Sequence, residues 1–186
     1  MKKFIVSLLL LTLCFTAFFC SIGQSGSAAA AHRIILIRHG EKPDQGDNLS
    51  CAGFNRALQL PAVLNKKFGA LAEIYVPAIN TGKQTSTARM YQTAVPLAVK
   101  YNLGINSKYD VDDVAGLAQS LLKKEGTTLV VWEHKKINNI VKALGVEQKI
   151  DWADDDYDSI WIITFQDGKA VLTTDKEGIK VAANCP

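Results

Sequence analysis

Two histidines in this chain of 186 residues stand just beyond apolar runs of strand character. The first, His39, lies in Arg38-His39-Gly40, directly after Ile34-Ile35-Leu36-Ile37. An unbroken β-branched and apolar run of this length is the pattern of a buried, parallel strand. Gly40 permits a sharp exit, and Pro43, after Glu41 and Lys42, cannot continue a ladder. Polar groups at the carboxyl end of such a strand face the crevice in which open α/β sheets bind ligands. A guanidinium beside an imidazole, with a glycine for close backbone approach, suits an anion and a phosphoryl group above all. The second histidine, His134, follows Leu129-Val130-Val131-Trp132-Glu133 and repeats the arrangement. Parallel strands would deliver both rings to one edge of a sheet. Between them lies Arg89, in the first turn of a predicted helix, where free N–H groups and the helix dipole also favour negative charge. The third histidine, His32, has no such setting.

The elements that must position these groups follow from the apolar pattern. A strand is predicted over Arg33–Arg38, then a helix from Cys51 to Phe68, with Ser50 as N-cap and Gly69 as its stop. Phe54, Leu58 and Leu64 form its expected apolar stripe, and Pro61 is expected to kink it. Glu73–Val76 reads as a strand, 80–84 as a polar loop and Thr87–Tyr101 as a helix bent at Pro96. Ser107–Val111 reads as a further strand and Asp113–Lys124 as a helix. Thr127–Trp132 is the second strong strand, and Lys135–Leu144 a helix stopped by Gly145. Ser159–Phe165 and Lys169–Thr174 form an antiparallel hairpin about Asp167-Gly168. Alternation of strands and helices predicts a three-layer α/β/α sandwich, its mixed sheet mainly parallel with the hairpin as antiparallel edge.

Lys2-Lys3, the apolar run from Phe4 to Cys20, and Ala28–Ala31 read as a secretory signal peptide, cleaved after Ala30 or Ala31. A retained anchor is the alternative, since the run approaches the length of a spanning helix. A lipid anchor on Cys20 is disfavoured by the bulky Phe19 before it. Cleavage predicts an exported domain, periplasmic or secreted, made of residues 32–186 and free of the membrane. That length suffices for one domain with one core. The formal charge of +3 falls to +1 without Lys2 and Lys3, and no lysine- or arginine-rich run remains, which argues against nucleic acid as a partner. The mature chain keeps Cys51 and Cys185, which in an exported protein are expected to pair; two free thiols are the alternative. Neither cysteine has metal-ligand spacing. The acidic segment Asp151–Asp158 lacks the glycine and terminal glutamate of a calcium loop and reads as a solvated turn.

Arg38-His39-Gly40, the Arg89 segment ending Gln92-Thr93-Ala94, and the strand-end His134, taken in this order, resemble the histidine phosphatase superfamily, which includes the phosphoglycerate mutases. The segment Leu49-Ser50-Cys51-Ala52-Gly53-Phe54-Asn55-Arg56-Ala57 looks like the family's first helix. The likeness spans the mature chain, whose small size is closer to the compact phosphatases. It implies a phosphoglycerate mutase-like fold and a phosphomonoester hydrolase with no metal or other cofactor, acting on a small phosphorylated substrate. It assigns His39 as the nucleophile that forms a phosphohistidine, with Arg38, Arg89 and His134 holding the phosphoryl oxygens. The general acid is open. Glu133 stands where many relatives have glycine and is one candidate, an ion pair with a site arginine being its other reading. Glu41 is a second candidate, and Asp112 and Asp113 remain possible. Gly40, Lys42 and Arg56 are substrate-binding candidates, although a surface ion pair is the commoner fate of a helical arginine. A phosphate-binding domain without turnover, or a phosphomutase, are the competing functions.

Overall fold

The structure, a computed structural model, describes residues 32–81 and 85–186. The segment read as a signal peptide lies outside the described residues. Six strands form one sheet: β1 (Arg33–Arg38), β2 (Glu73–Tyr75), β5 (Ile105–Asn106), β6 (Thr127–Trp132), β7 (Ser159–Gln166) and β8 (Lys169–Lys176), in the order β5-β2-β6-β1-β7-β8. A small antiparallel pair, β3 (Asn80–Thr81) and β4 (Thr85–Ser86), lies apart from it. The helices are α1 (Cys51–Phe68), α2 (Ala88–Tyr101), α3 (Val114–Leu121) and α4 (His134–Ala143). The strands from β5 to β1 run parallel, while β7 and β8 add the antiparallel edge. The turn of that edge puts Asp167 and Gly168 at φ of 51° and 75°, the left-handed pair a two-residue hairpin needs.

Strand alternation sorts the apolar residues onto two faces. Ile35 and Ile37 of β1, with Leu129 and Val131 of β6, pack against Leu60 and Leu64 of α1 and Leu97 of α2. Ile34, Leu36, Val130 and Trp132 face the other way, onto Leu117 and Leu121 of α3 and Ile137 and Ile140 of α4. Both central strands are therefore apolar on both sides, and the result is the three-layer sandwich. Helix α1 begins at Ser50, whose hydroxyl accepts from the Gly53 amide at 3.2 Å, and ends at Gly69, with φ 74°. Helices α1 and α2 run unbroken through Pro61 and Pro96.

Four local expectations are corrected. The third parallel strand is Ile105–Asn106 rather than Ser107–Val111. Ile105 and Asn106 pair with Ile74 and Tyr75, after which the chain leaves the sheet and Val111 offers its carbonyl to Trp132 Nε1 at 3.1 Å. Asn80 and Thr81, expected in a polar loop, instead form β3 and pair with Ser86 and Thr85 of β4. Phe54 and Leu58 are exposed, because the buried face of α1 runs through Gly53, Arg56, Ala57, Leu60 and Leu64. The acidic segment is a solvated turn only in part: Asp151, Asp154 and Asp155 are exposed, but Trp152 anchors it to the core. Its Trp152 packs at a tilt against Trp161 with ring centroids 4.9 Å apart and donates from Nε1 to the Asp156 carbonyl at 2.8 Å.

Candidate functional site

The register of β1 on β6 places Arg38 opposite Trp132, so His39 and Glu133-His134 leave the sheet side by side. The His39 amide donates to the Trp132 carbonyl at 3.3 Å. Gly40 follows, and its fitness there is steric. A Cβ on Gly40 would stand 2.7 Å from the carbonyl oxygen of Gly53, and one on Gly53 would run into the backbone of Glu41. The two glycines let the loop after β1 lie directly on the first turn of α1. The Gly40 amide is taken by Thr93 Oγ1 at 2.9 Å, so it is committed to α2 rather than offered to a ligand.

The His39 ring is buried, and its Nδ1 lies 2.7 Å from the Gly40 carbonyl oxygen. A carbonyl can only accept, so Nδ1 carries the proton and Nε2 keeps its lone pair. Burial, with the charges of Arg38, Arg89 and His134 nearby, pushes the ring down to a pKa of about 4 against the bond to Gly40. The structure thus brings Arg38, Arg89 and His134 around the neutral imidazole of His39.

Arg38 is held by the acidic loop. Its Nη1 donates to the Asp154 carbonyl at 2.5 Å, and Nη2 donates to the Tyr157 hydroxyl at 3.1 Å. The Tyr157 ring lies under the guanidinium at 3.8 Å and meets His39 edge-on at 6.1 Å. Arg38 Nε is buried with no hydrogen-bond partner among the described residues, a donor that an incoming oxyanion would satisfy. Arg89, in the first turn of α2, donates from Nε to the Asn48 carbonyl at 3.1 Å and from Nη2 to that of Gly46. His134 opens α4, with Glu133 as its N-cap. Burial and Arg38 lower its pKa, while Asp154 opposes this from 2.9 Å, Oδ1 to Nε2.

Asp154 is 90 % exposed and occupies His134 Nε2, while His134 Nδ1 is buried with no hydrogen-bond partner among the described residues. A phosphate bound through Nε2 would have to replace it. Asp154→Asn is therefore expected to tighten orthophosphate binding about two- to fivefold, the worth of an exposed ion pair. Calorimetric titration with orthophosphate reads this directly, and unchanged or weaker binding would contradict it.

The other candidates are placed as follows. Glu41 is engaged by Arg56, whose Nε reaches both carboxylate oxygens at 3.0 Å and whose Nη2 reaches Oε1 at 2.7 Å. Arg56 is buried and also donates to Glu177 at 2.5 Å, with Asp158 at 3.8 Å. It is thus an internal ion-pair centre rather than a group presented to substrate or a surface pair. Glu177 is itself buried, and burial with the repulsion of Asp158 and Glu41 raises it to about 7 despite Arg56. Lys42 is exposed on the loop. Asp112 pairs with Lys136 and Asp113 caps α3 through the Gly116 amide at 2.9 Å, so both are committed elsewhere. The Glu133 side chain forms no hydrogen bond or ion pair among the described residues, including none with a site arginine, and its charge is felt at His134. Cys51 and Cys185 form a disulfide. Among the described residues no group of three or more His, Cys, Asp or Glu is placed to hold a metal ion.

Arg56→Ala is expected to cost about 3–5 kcal/mol, because it strands two carboxylates around a buried gap. Urea unfolding measures the loss. A value below about 1 kcal/mol would mean the network is not held as described.

No protein-family model and no curated protein matches the sequence. Solved structures do match. The protein histidine phosphatase SixA complexed with tungstate superposes with a TM-score of 0.56 at 15% identity, over 78% of this chain and 97% of that one. A mycobacterial glucosyl-3-phosphoglycerate phosphatase with inorganic phosphate gives 0.54 at 15%, over 78% and 96%. A phosphoserine phosphatase from Entamoeba histolytica with phosphoserine gives 0.52 at 16%, over 78% and 96%. The match extends along nearly the full length of each of these enzymes. This chain has the fold of the histidine phosphatase superfamily.

Proposed function

We propose that the protein is an exported, metal-independent phosphatase that hydrolyses small phosphomonoesters through a phosphohistidine on His39. The observation that carries this is the His39 ring itself. It is neutral, with Nδ1 bound to the Gly40 carbonyl and the Nε2 lone pair available, amid Arg38, Arg89 and His134. In the first step Nε2 attacks phosphorus and the ester P–O bond breaks with its electron pair on the leaving oxygen. The cationic groups stabilise the charge spread over the phosphoryl oxygens. Glu133, its carboxyl group unengaged among the described residues, protonates the leaving oxygen. Glu133, now a carboxylate, takes a proton from the water that attacks the phosphoryl group, the P–N bond breaks with its electron pair on Nε2, and orthophosphate leaves with His39 and Glu133 regenerated. A domain that only binds phosphate has no use for a nucleophile with this tautomer.

The test is hydrolysis of p-nitrophenyl phosphate and an alkyl phosphate by residues 32–186 in EDTA. Turnover of both is expected. Glu133→Gln is expected to slow the alkyl ester about 10²–10⁴-fold and to spare p-nitrophenyl phosphate, whose leaving group needs no proton. Equal slowing of both would remove Glu133 from the acid role. No turnover of any ester, with phosphate binding intact, would favour the binding-domain reading.

A further inference from the structure

Beside the phosphate site, α1 and α2 enclose a groove of about 530 Å³ walled by Leu49, Phe54, Tyr91, Val95, Pro96 and the Cys51–Cys185 disulfide. Its size lies within the range of about 300–1,000 Å³ usual for small organic ligands. Phe54 is 42 % exposed there, a large aromatic ring left uncovered on a helix whose other face is packed. The apolar surface continues one helical turn beyond each wall, in Leu58 after Phe54 and Val99 after Val95, at 47 % and 76 % exposure. Single exposed apolar side chains are ordinary, but a contiguous set around a concavity marks a binding site.

The groove and the phosphate site share a wall. Asn48 lines the groove, its carbonyl accepts from Arg89 Nε, and its Oδ1 accepts from Gln92 Nε2 at 2.7 Å. The other end of Gln92, Oε1, accepts from the Leu49 amide at 2.9 Å. On α2 the spacing of Arg89, Gln92 and Val95-Pro96 places all of them along one helix face. That face begins with a phosphate-site guanidinium and continues as the groove wall. On α1 the same change takes one residue, since Gly53 packs on Gly40 beside the nucleophile and Phe54 walls the groove.

We infer that the groove is the subsite for the apolar part of the substrate. The substrate is then a phosphomonoester whose alcohol carries an alkyl chain, with the phosphoryl group at His39 and the chain laid across Asn48. This rests on the phosphatase reading above and adds the substrate class to it. Each methylene moved from water into the groove favours the transition state by up to about fourfold.

The experiment measures kcat/KM for ethyl, butyl, hexyl and octyl phosphate, in EDTA, with wild type, Phe54→Ser and Val95→Asp. Wild type is expected to rise steeply with chain length, and both variants to flatten the series. A flat wild-type series would overturn the subsite, as would variants as steep as wild type. Binding of ethyl- and octylphosphonate, followed by calorimetry, separates the two readings because neither is hydrolysed. If no ester is turned over, the phosphatase reading fails. Preference for octylphosphonate that is lost in the variants would still support the groove, and equal affinity for the two would overturn it.

Discussion

Replacing His39 with alanine is expected to lower kcat on p-nitrophenyl phosphate about 10⁶-fold, the scale on which covalent enzymes lose their nucleophile. Acid-labile, alkali-stable labelling of the protein by a phosphoryl donor should vanish with it. An alanine variant that kept a measurable fraction of kcat would show that water attacks the ester directly. The ring's setting adds a second expectation. In the folded chain its pKa of about 4 compares with 6.5 for an unperturbed ring. Between these values the unfolded chain binds the proton and the folded chain does not, so stability falls as the pH falls from 6.5 towards 4. The difference amounts to about 3 kcal/mol for His39 alone. The alanine variant lacks this penalty and should lose less stability than wild type over the same range in urea titrations. A ¹⁵N NMR titration should show the His39 ring still neutral at pH 5. Protonation near 6.5 would mean that burial, with the neighbouring charges, does not act on it as the geometry requires.

Much of this site was legible because it rests on local patterns. The two apolar runs before His39 and His134 could be nothing but buried strands, and Ser50 and Gly69 bounded α1 by their own chemistry. What escaped depends on contacts between distant residues. Tyr157 supports Arg38 from 119 positions away, and Glu177 reaches Arg56 from 121, with no spacing in the sequence to signal either. For Arg56, a buried arginine at the centre of three carboxylates cannot be told from an exposed one by its neighbours in the chain. The outward face of α1 misled for a related reason. Phe54 and Leu58 have the right periodicity for a core stripe, but Gly53 packs on the loop after β1, and Ala57, one turn on, is buried with it. The short β5 was misplaced because two residues suffice to pair with β2.

Removal of the disulfide should be the largest single loss of stability in the chain. Cys51 and Cys185 are 134 positions apart, and a bond across that span restricts the unfolded chain by about 5 kcal/mol in the loop-entropy account. A domain of this size has about 5–15 kcal/mol in all, so the loss is a large share of the total. The bond also closes a clamp that the folded state needs locally. Cys51 is the first residue of α1, and Asn55, one turn on, donates from Nδ2 to the carbonyls of Ala182 and Asn184 at 2.9 and 2.7 Å. The tail is thus fastened to the same helix turn that carries Gly53 against Gly40. Cys51→Ser, Cys185→Ser and the double variant should each lower the urea midpoint by about 2 M, given an ordinary dependence on denaturant. Reductant should bring the wild type to the same midpoint and leave the variants unmoved. If the single variants fall further than the double, the loss comes from exposing a free thiol rather than from releasing the loop. If all fall by less than about 1 kcal/mol, the two hydrogen bonds of Asn55 hold the tail without the bond, and the unfolded chain is already compact enough that closing it costs little.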